Sequence, residues 1–233
     1  MKKNIFFLLA LPTFFLAGCA PAVPSQTSSA LDKSITFQNA DTTQTQSQSQ
    51  SQSPAPESPQ PIQQVQDQKG STMKTLKDFE KITATEATIK TNKGDLVITL
   101  FPDKSPLTVT NFLTLAKSGY YNGIKFHRII PDFMAQVGDP LTKDDSQKAA
   151  WGTGGPGYTI QDEYDQSLGF ESDGVVAMAN TGAPNSGGSQ FFITYSPYTF
   201  GNGKYPIFGK LKSGMDILKS LQIGDQIISV TYK

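Results

Sequence analysis

The sequence is poor in the side chains that most often carry covalent or metal chemistry. Its 233 residues include one cysteine, one histidine, one tryptophan and a single arginine. One cysteine leaves no intramolecular disulfide, and one Cys with one His cannot complete a structural zinc site. The 20 basic and 20 acidic residues cancel, whereas nucleic-acid-binding domains normally show a basic excess or stripe. We therefore expect no metal, no disulfide and no nucleic-acid partner.

The N-terminus has the pattern of an export signal over residues 1–18. Two lysines precede an apolar run at residues 5–15, and the sequence Leu-Ala-Gly-Cys then ends at Cys19. The run is shorter than the roughly 20 residues of a membrane-spanning helix, as in a signal peptide. This ending resembles the bacterial lipoprotein box, which implies a lipidated Cys19 and an extracytoplasmic protein anchored to the membrane. A plain secretory signal, or a cytoplasmic product starting at Met73, are the alternatives.

Residues 19–79 are predicted to form a disordered tether. After Thr45, Gln and Ser alternate over residues 46–53, and Pro recurs over residues 54–61. Such a composition buries too little apolar surface to offset the entropy of ordering the chain. A flexible chain of about fifty residues spans roughly 40 Å. Self-association of the Gln/Ser tract is the alternative to this spacer role.

Residues 80–233 are predicted to form one globular domain that is rich in strands. Thr88–Thr91 and Leu96–Leu100 flank a turn, and further short strands are expected in the segments that follow, at 175–178, 190–194 and 227–231. One helix follows Pro106, with an apolar stripe at Val109, Phe112, Leu113 and Ala116, and a second is expected over residues 213–221. This order favours an all-β closed barrel capped by two helices over a repeated βαβ unit.

Several familiar catalytic motifs can be set aside. Residues 152–157 match GxGxxG, but Pro156 interrupts the turn and a strand-like segment follows where a dinucleotide site needs a helix. A Ser-His-Asp triad would have to use His127, which stands beside a permanently charged arginine and has no recognisable nucleophile. The paired acids at 144–145 and 162–163 are typical of solvated loops. No cofactor is expected.

Two segments remain that are dense in functional side chains. Residues 126–136 place the single arginine, Arg128, among aromatic and thioether side chains. Arginine presents five donors in a fixed plane and suits recognition of carbonyl groups, although an arginine that staples a loop is the structural alternative. Residues 178–192 run from small residues and amides into an aromatic strand. Such a surface can bind an extended peptide through its main chain and an apolar pocket.

Both segments resemble the signature of the cyclophilin family of peptidyl-prolyl cis-trans isomerases. The resemblance covers residues 84–233 and extends to Asn111-Phe112, residues 120–123, the glycine-rich loop and Phe208-Gly209-Lys210. It implies an eight-stranded antiparallel β-barrel capped by two α-helices, and rotation about X-Pro bonds in proline-containing peptides. It also implies a chemistry without nucleophile, metal or cofactor.

The resemblance assigns roles residue by residue. Catalysis is assigned to Arg128, Phe133 and Gln136. Substrate binding is assigned to His127, Met134, Ala179, Asn180, Gln190, Phe192, Phe200 and Tyr205. The chain departs from the family at Gly201, where Leu is usual, and at Val137, where Gly is usual. With Phe200 in place of a common Trp, the Gly201 departure suggests weak binding of cyclosporin.

Export and the resemblance together predict the partners. We expect a monomer that acts on unfolded exported proteins and assists their folding, and that meets the membrane through its lipid. A peptide-binding or chaperone module without turnover on the same fold is one alternative. A hydrolase centred on His127 is another, and it lacks partner residues in the sequence.

Overall fold

The computed structural model describes residues 71–233. The predicted signal peptide at residues 1–18, the lipidation site Cys19 and most of the tether predicted for residues 19–79 lie outside the described residues. Among residues 71–233, no helix is long and apolar enough to cross a membrane.

Eight strands form one antiparallel sheet that curls into the predicted barrel. The strands of the sheet are β2 (Glu86–Thr91), β3 (Gly94–Leu100), β4 (Arg128–Ile130), β5 (Met134–Val137), β7 (Val175–Met178), β8 (Phe191–Thr194), β9 (Ile207–Ser213) and β10 (Ile227–Tyr232). Their order is β10-β2-β3-β9-β7-β8-β5-β4. Two further short strands, β1 (Thr72–Lys74) and β6 (Tyr158–Ile160), lie outside this sheet. The segment before β4 closes the barrel, because a bridge joins Lys125 to Gln226 and Phe126 N–H donates to Asp225 C=O at 2.8 Å.

The first hairpin follows directly from the alternation in its sequence. Leu96, Ile98 and Leu100 of β3 are buried, while the residues between them face outward or are half-buried. The turn ends at Gly94, whose φ of 139° is costly for any side-chain-bearing residue. The strands are longer than predicted, since their ends pair even where the apolar pattern stops.

The two predicted helices are present. α1 (Pro106–Lys117) starts with proline in its first turn and buries the predicted apolar stripe. The Glu163 carboxylate accepts from the N–H groups of Leu107 at 2.9 Å and Thr108 at 2.8 Å. It thereby satisfies free donors at the positive end of the helix dipole. α2 (Met215–Ser220) is shorter than the predicted residues 213–221.

Regular structure is present before the predicted domain boundary at residue 80. Strand β1 pairs in parallel with β6, and Leu76–Asp78 form a one-turn 3₁₀ helix. The Lys74 ammonium lies 3.9 Å from the Tyr158 ring centroid. Residues 72–78 therefore belong to the folded domain and not to a disordered tether. Composition could not show this, because the partner strand comes more than eighty residues later.

Two apolar clusters occupy opposite faces of the sheet. The cluster we call the barrel core fills the interior beneath α1 and includes Phe112, Tyr121, Phe191 and Phe208. The cluster we call the site cluster lies on the other face and comprises Phe133, Met134, Phe170, Val175, Ala177, Ala179, Phe192 and Ile207. Successive strand residues point to opposite faces, so Phe191 enters the barrel core and its neighbour Phe192 the site cluster. Val137, where the family has Gly, is buried in the barrel core.

Candidate active site

Cross-strand pairing places four residues in one row. Arg128 of β4 is opposite Gln136 of β5, Gln136 is opposite Phe192 of β8, and Phe192 is opposite Ala177 of β7. Directly opposed side chains in antiparallel strands share a face, with Cβ atoms about 4.5–5.5 Å apart. The row thus passes from a cation through an amide to an aromatic ring, on the face of the site cluster.

Arg128 has a donor to offer within this row. Its side chain is half-buried, and Nη1 is enclosed without a hydrogen-bond partner among residues 71–233. Burial lowers the pKa of Arg128, while the phenols of Tyr205 and Tyr198 oppose that shift. A guanidinium stays charged throughout the physiological range. An enclosed donor without a partner is uncommon in folded proteins, so Nη1 is a candidate donor to a ligand.

A chain of hydrogen-bonded side-chain amides begins opposite the arginine. Gln136 Nε2 donates to Gln190 Oε1 at 3.0 Å. Gln190 Nε2 in turn donates to the carbonyls of Gly152 at 2.9 Å and Gly154 at 2.8 Å. Gln136 Oε1 is buried and has no partner among residues 71–233, so it can accept from a ligand. The resemblance assigns Gln190 to peptide binding. In the structure its side-chain amide hydrogen-bonds Gln136 and the glycine-rich loop instead.

Asp139 anchors that loop, and the sequence reasoning missed it. Its buried carboxylate accepts from the N–H groups of Leu141 at 2.8 Å, Gly152 at 2.5 Å and Gly154 at 3.2 Å. A Cβ at Gly154 would lie 2.2 Å from Asp139 Oδ1, so the close approach requires glycine there. An aspartate directly before a proline is typical of a turn, and that local signal was available in the sequence.

His127 lies next to this loop and is uncharged at neutral pH. Burial lowers the pKa of His127 to about 4. The ring packs beside Gly152, where a Cβ would lie 3.6 Å from His127 Cδ2. The nearby Asp139 carboxylate opposes the pKa shift of His127, but this carboxylate accepts from the main-chain N–H groups of Gly152 and Gly154. It therefore does not orient the ring as the acid of a hydrolytic triad would.

The predicted proline pocket is a set of packed aromatic rings. Phe192 stacks on Phe170 with centroids 5.9 Å apart and meets the edge of the Tyr205 ring at 5.2 Å. Met134 is fully buried beside them, and Phe133 is 8% exposed. The structure brings Phe133, Met134 and Phe192 together in one cluster, with Tyr205 packed against it. Phe200 instead lies in the short 3₁₀ helix Thr199–Gly201 with 75% of its surface exposed.

Main-chain groups for an extended peptide are present beside the row. Asn180 follows β7, and its side chain is held by donation to Lys204 C=O at 2.8 Å and acceptance from Gly182 N–H at 3.1 Å. Within residues 71–233, no hydrogen bond uses the main-chain N–H or C=O of Asn180. Ala179 differs, because its N–H donates to Gln190 C=O at 2.9 Å. Of the two predicted residues, Asn180 is the one free to pair with a peptide.

Tyr198 is a second residue that the sequence reasoning missed. Its ring centroid lies 4.4 Å from that of Phe133 and 5.9 Å from that of Phe170. A Cβ at Gly201 would lie 2.7 Å from Tyr198 Cδ1, so the tyrosine ring fills the space that a side chain at position 201 would need. The departure at Gly201 was visible in the sequence, but the residue that compensates for it was not.

Together these residues form a site suited to an extended peptide, with an apolar pocket for a substrate ring close to Arg128. The residues described for this site include no activated nucleophile. Among residues 71–233, no group of three His, Cys, Asp or Glu side chains could hold a metal ion. The family model described as cyclophilin type peptidyl-prolyl cis-trans isomerase/CLD matches residues 86–230. The chain therefore belongs to the cyclophilin family of peptidyl-prolyl cis-trans isomerases, and it is an enzyme of that class.

Individual relatives agree with this assignment. A peptidyl-prolyl cis-trans isomerase of Helicobacter pylori is 40% identical over 159 residues, which are 67% of this chain and 92% of the relative. The isomerase cyp15 of Rhizopus delemar is 38% identical over 151 residues, 65% of this chain but only 23% of that longer protein. A cyclophilin type isomerase of Cryptosporidium parvum, crystallised in the presence of the dipeptide Ala-Pro, superposes with a TM-score of 0.56. It is 35% identical, and the match covers 64% of this chain and 98% of that one.

Proposed function

We propose that this protein accelerates rotation about X-Pro bonds in exported polypeptides at the cell envelope and so assists their folding. The observation that carries the catalytic part is the row of Arg128, Gln136 and Phe192 across three adjacent strands. The envelope location rests on the sequence of residues 1–19.

The chemistry requires stabilisation of a twisted amide. Resonance opposes rotation about the peptide C–N bond with a barrier of about 18–20 kcal/mol. In the twisted state the prolyl nitrogen loses conjugation, becomes pyramidal and accepts a hydrogen bond better than in the planar state. A donor that binds the twisted state more strongly than the planar one lowers the barrier. The enclosed Nη1 of Arg128 is such a donor, because Arg128 is fixed on β4 and Nη1 has no hydrogen-bond partner among residues 71–233.

Gln136 and the site cluster supply positioning. The free Oε1 of Gln136 can accept from a peptide N–H, while its Nε2 stays fixed by Gln190. Phe133, Met134 and Phe192 offer an apolar surface for the proline ring, and Asn180 offers main-chain groups to the residues that precede it. Holding the ring and the preceding segment confines the motion to the carbonyl between them. No group has to gain or lose a proton.

The catalytic proposal is tested with a cis-trans assay on an Ala-Pro peptide, using the full chain. Arg128→Ala and Arg128→Lys should each lower kcat/KM by about 10²–10³, or roughly 2.7–4 kcal/mol, as for the loss of a preorganised donor. Lysine should fail because a flexible ammonium does not reproduce the planar guanidinium. Lys210→Ala, at an exposed lysine of β9, is the control for loss of one positive charge.

Two other results would contradict the catalytic proposal. If Arg128→Lys keeps full turnover but unfolds at a lower temperature, Arg128 is a structural staple and the mechanism is wrong. If the wild-type chain binds the peptide without accelerating isomerisation, the protein is a binding module on this fold.

The envelope location is tested through Cys19. Two acyl chains anchor a protein stably, whereas one binds only marginally, so a diacylated cysteine would suffice as an anchor. Cys19→Ser should leave the protein unprocessed or release it from the membrane fraction, and Ser25→Ala should leave fractionation unchanged. A Cys19→Ser protein that stays processed and membrane-bound would contradict lipid anchoring without affecting the catalytic proposal.

A further inference from the structure

The floor of the proline pocket is closed to solvent in this structure. Phe192 and Met134 have no exposed surface, and Phe133 retains 8%. A proline ring has to contact these side chains if they form its pocket. Some group that covers them therefore has to move when a peptide binds.

Tyr198 covers the Phe133 side of the floor, while Phe170 and Tyr205 lie against Phe192. The Tyr198 ring is half-buried and tilted by 52° against Phe133, with centroids 4.4 Å apart, which leaves no room for another ring between them. Its backbone is held, because Tyr198 N–H donates to Phe170 C=O at 2.7 Å and Tyr198 C=O accepts from Gly201 N–H at 2.9 Å. The mobile part of this residue is thus its side chain.

Gly201 makes this position of the ring possible. A Cβ there would lie 2.7 Å from Tyr198 Cδ1 and 2.9 Å from Cε1, both closer than real Cβ contacts. The backbone of Gly201 does not lie in the left-handed region that favours glycine. A Cβ at 201 would also lie 3.0 Å from Phe170 Cδ2, so two rings, with Tyr198 the nearer, require glycine at this position.

The ring also lies within the electrostatic range of the catalytic arginine. Burial raises the pKa of Tyr198, and the charge of Arg128 opposes that rise. Tyr198 thus borders both the apolar ring site and the group that acts on the prolyl nitrogen.

We propose that Tyr198 occupies the mouth of the proline pocket in the free enzyme, and that the substrate ring has to displace it. On this view Tyr198, with Gly201, sets the affinity for proline peptides. The inference rests on the isomerase function proposed above. It adds a residue that competes with the substrate for the same apolar surface.

A double-mutant cycle on the full chain tests the proposal, with peptide affinity measured by NMR titration of an Ala-Pro tetrapeptide. Tyr198→Ala removes the competing ring, so Kd should fall by about two- to tenfold, the equivalent of one aromatic pair. Gly201→Ala should lower Kd in the same direction, because its Cβ forces the ring out. In the Tyr198→Ala background, Gly201→Ala should change Kd less than in the wild type, because its Cβ then meets the Phe170 ring at 3.0 Å but no longer the tyrosine ring.

Tyr232→Ala, which removes a half-buried tyrosine from β10, is the matched control and should leave Kd unchanged. A rise in Kd for Tyr198→Ala would mean that the ring is a fixed wall that binds the substrate, and would overturn the proposal. An unchanged Kd for Gly201→Ala would do the same.

A second readout uses the wild-type protein and needs no variant. The short Phe133–Tyr198 ring separation should give a nuclear Overhauser effect between the two rings in the free wild-type protein, and saturation with the peptide should abolish it. Persistence of that signal in the saturated complex would overturn the proposal. Both readouts measure binding, so they remain valid if the protein binds proline peptides without catalysing their isomerisation.

Discussion

The barrel core and the site cluster are built from similar apolar side chains and yet differ in the polar side chains at their borders. Around the barrel core, Phe112 contacts Tyr121, Phe191 and Phe208 at centroid distances of 5.3–5.5 Å, and the strands and α1 enclose it. The site cluster is bordered by Arg128 and Gln136, each with a buried polar atom lacking a partner among residues 71–233. The Tyr195 hydroxyl of the barrel core also lacks a partner there, so the difference is in arrangement: beside the site cluster, the guanidinium and the amide are aligned across neighbouring strands.

Neighbouring phenylalanines on β8 should show this difference most strongly. Phe191→Ala and Phe192→Ala each empty a fully buried site and should destabilise the protein by about 3–5 kcal/mol. Phe191→Ala should preserve kcat/KM per folded molecule, while Phe192→Ala should also weaken peptide binding. Urea unfolding and the isomerase assay on the same preparations measure both quantities. Equal losses of binding in the two variants would show that the clusters are not functionally separate.

The pH dependence of stability should reveal the buried histidine beside the site. Burial lowers the pKa of His127 to about 4, below the unfolded value of about 6.5. Between these values the unfolded chain binds the proton and the folded one does not, so stability falls as pH drops from about 6.5 to about 4. The full loss amounts to about 3 kcal/mol. Thermal unfolding of wild type and His127→Gln across this window should show a weaker pH dependence for the variant, and identical profiles would contradict the assignment.

Asp139 should affect both stability and activity, because it acts through the loop that holds Gln190. Asp139→Asn replaces an acceptor of three N–H groups and should cost about 1–3 kcal/mol. We expect kcat to fall more than KM rises, since Gln136 loses its fixed partner while the apolar rings remain. A change in melting temperature with unaltered kcat would limit Asp139 to a structural role.

The smallest expected effect lies at the start of α1. Glu163→Gln keeps acceptors near Leu107 and Thr108 but removes the charge that favours the helix dipole, at a cost of about 0.3–1 kcal/mol. Activity per folded molecule should be unchanged, because α1 covers the barrel core. Calorimetry and the isomerase assay check this, and a drop in kcat/KM would couple α1 to the site.

Much of the fold was predictable because its signals are local. Alternation in residues 96–100 and the apolar stripe after Pro106 each depend on neighbours within a few positions, and both elements were confirmed. The predicted start of the folded domain at residue 80 did not include residues 72–78, which contain a paired strand and a 3₁₀ turn. Thr72–Lys74 carries no apolar pattern of its own, and its order comes from pairing with β6.

The sequence by itself determined the family, the strand-rich architecture and the single arginine on which catalysis is proposed to depend. Only the tertiary structure decided which side chains meet. Strand register places Arg128, Gln136 and Phe192 in one row, and loop packing sets Asp139 beneath the glycines and Tyr198 over Phe133. The physical reason is that periodicity and propensity act over one or two turns of chain. Contacts between distant segments depend instead on how the barrel closes and on which volumes remain to be filled.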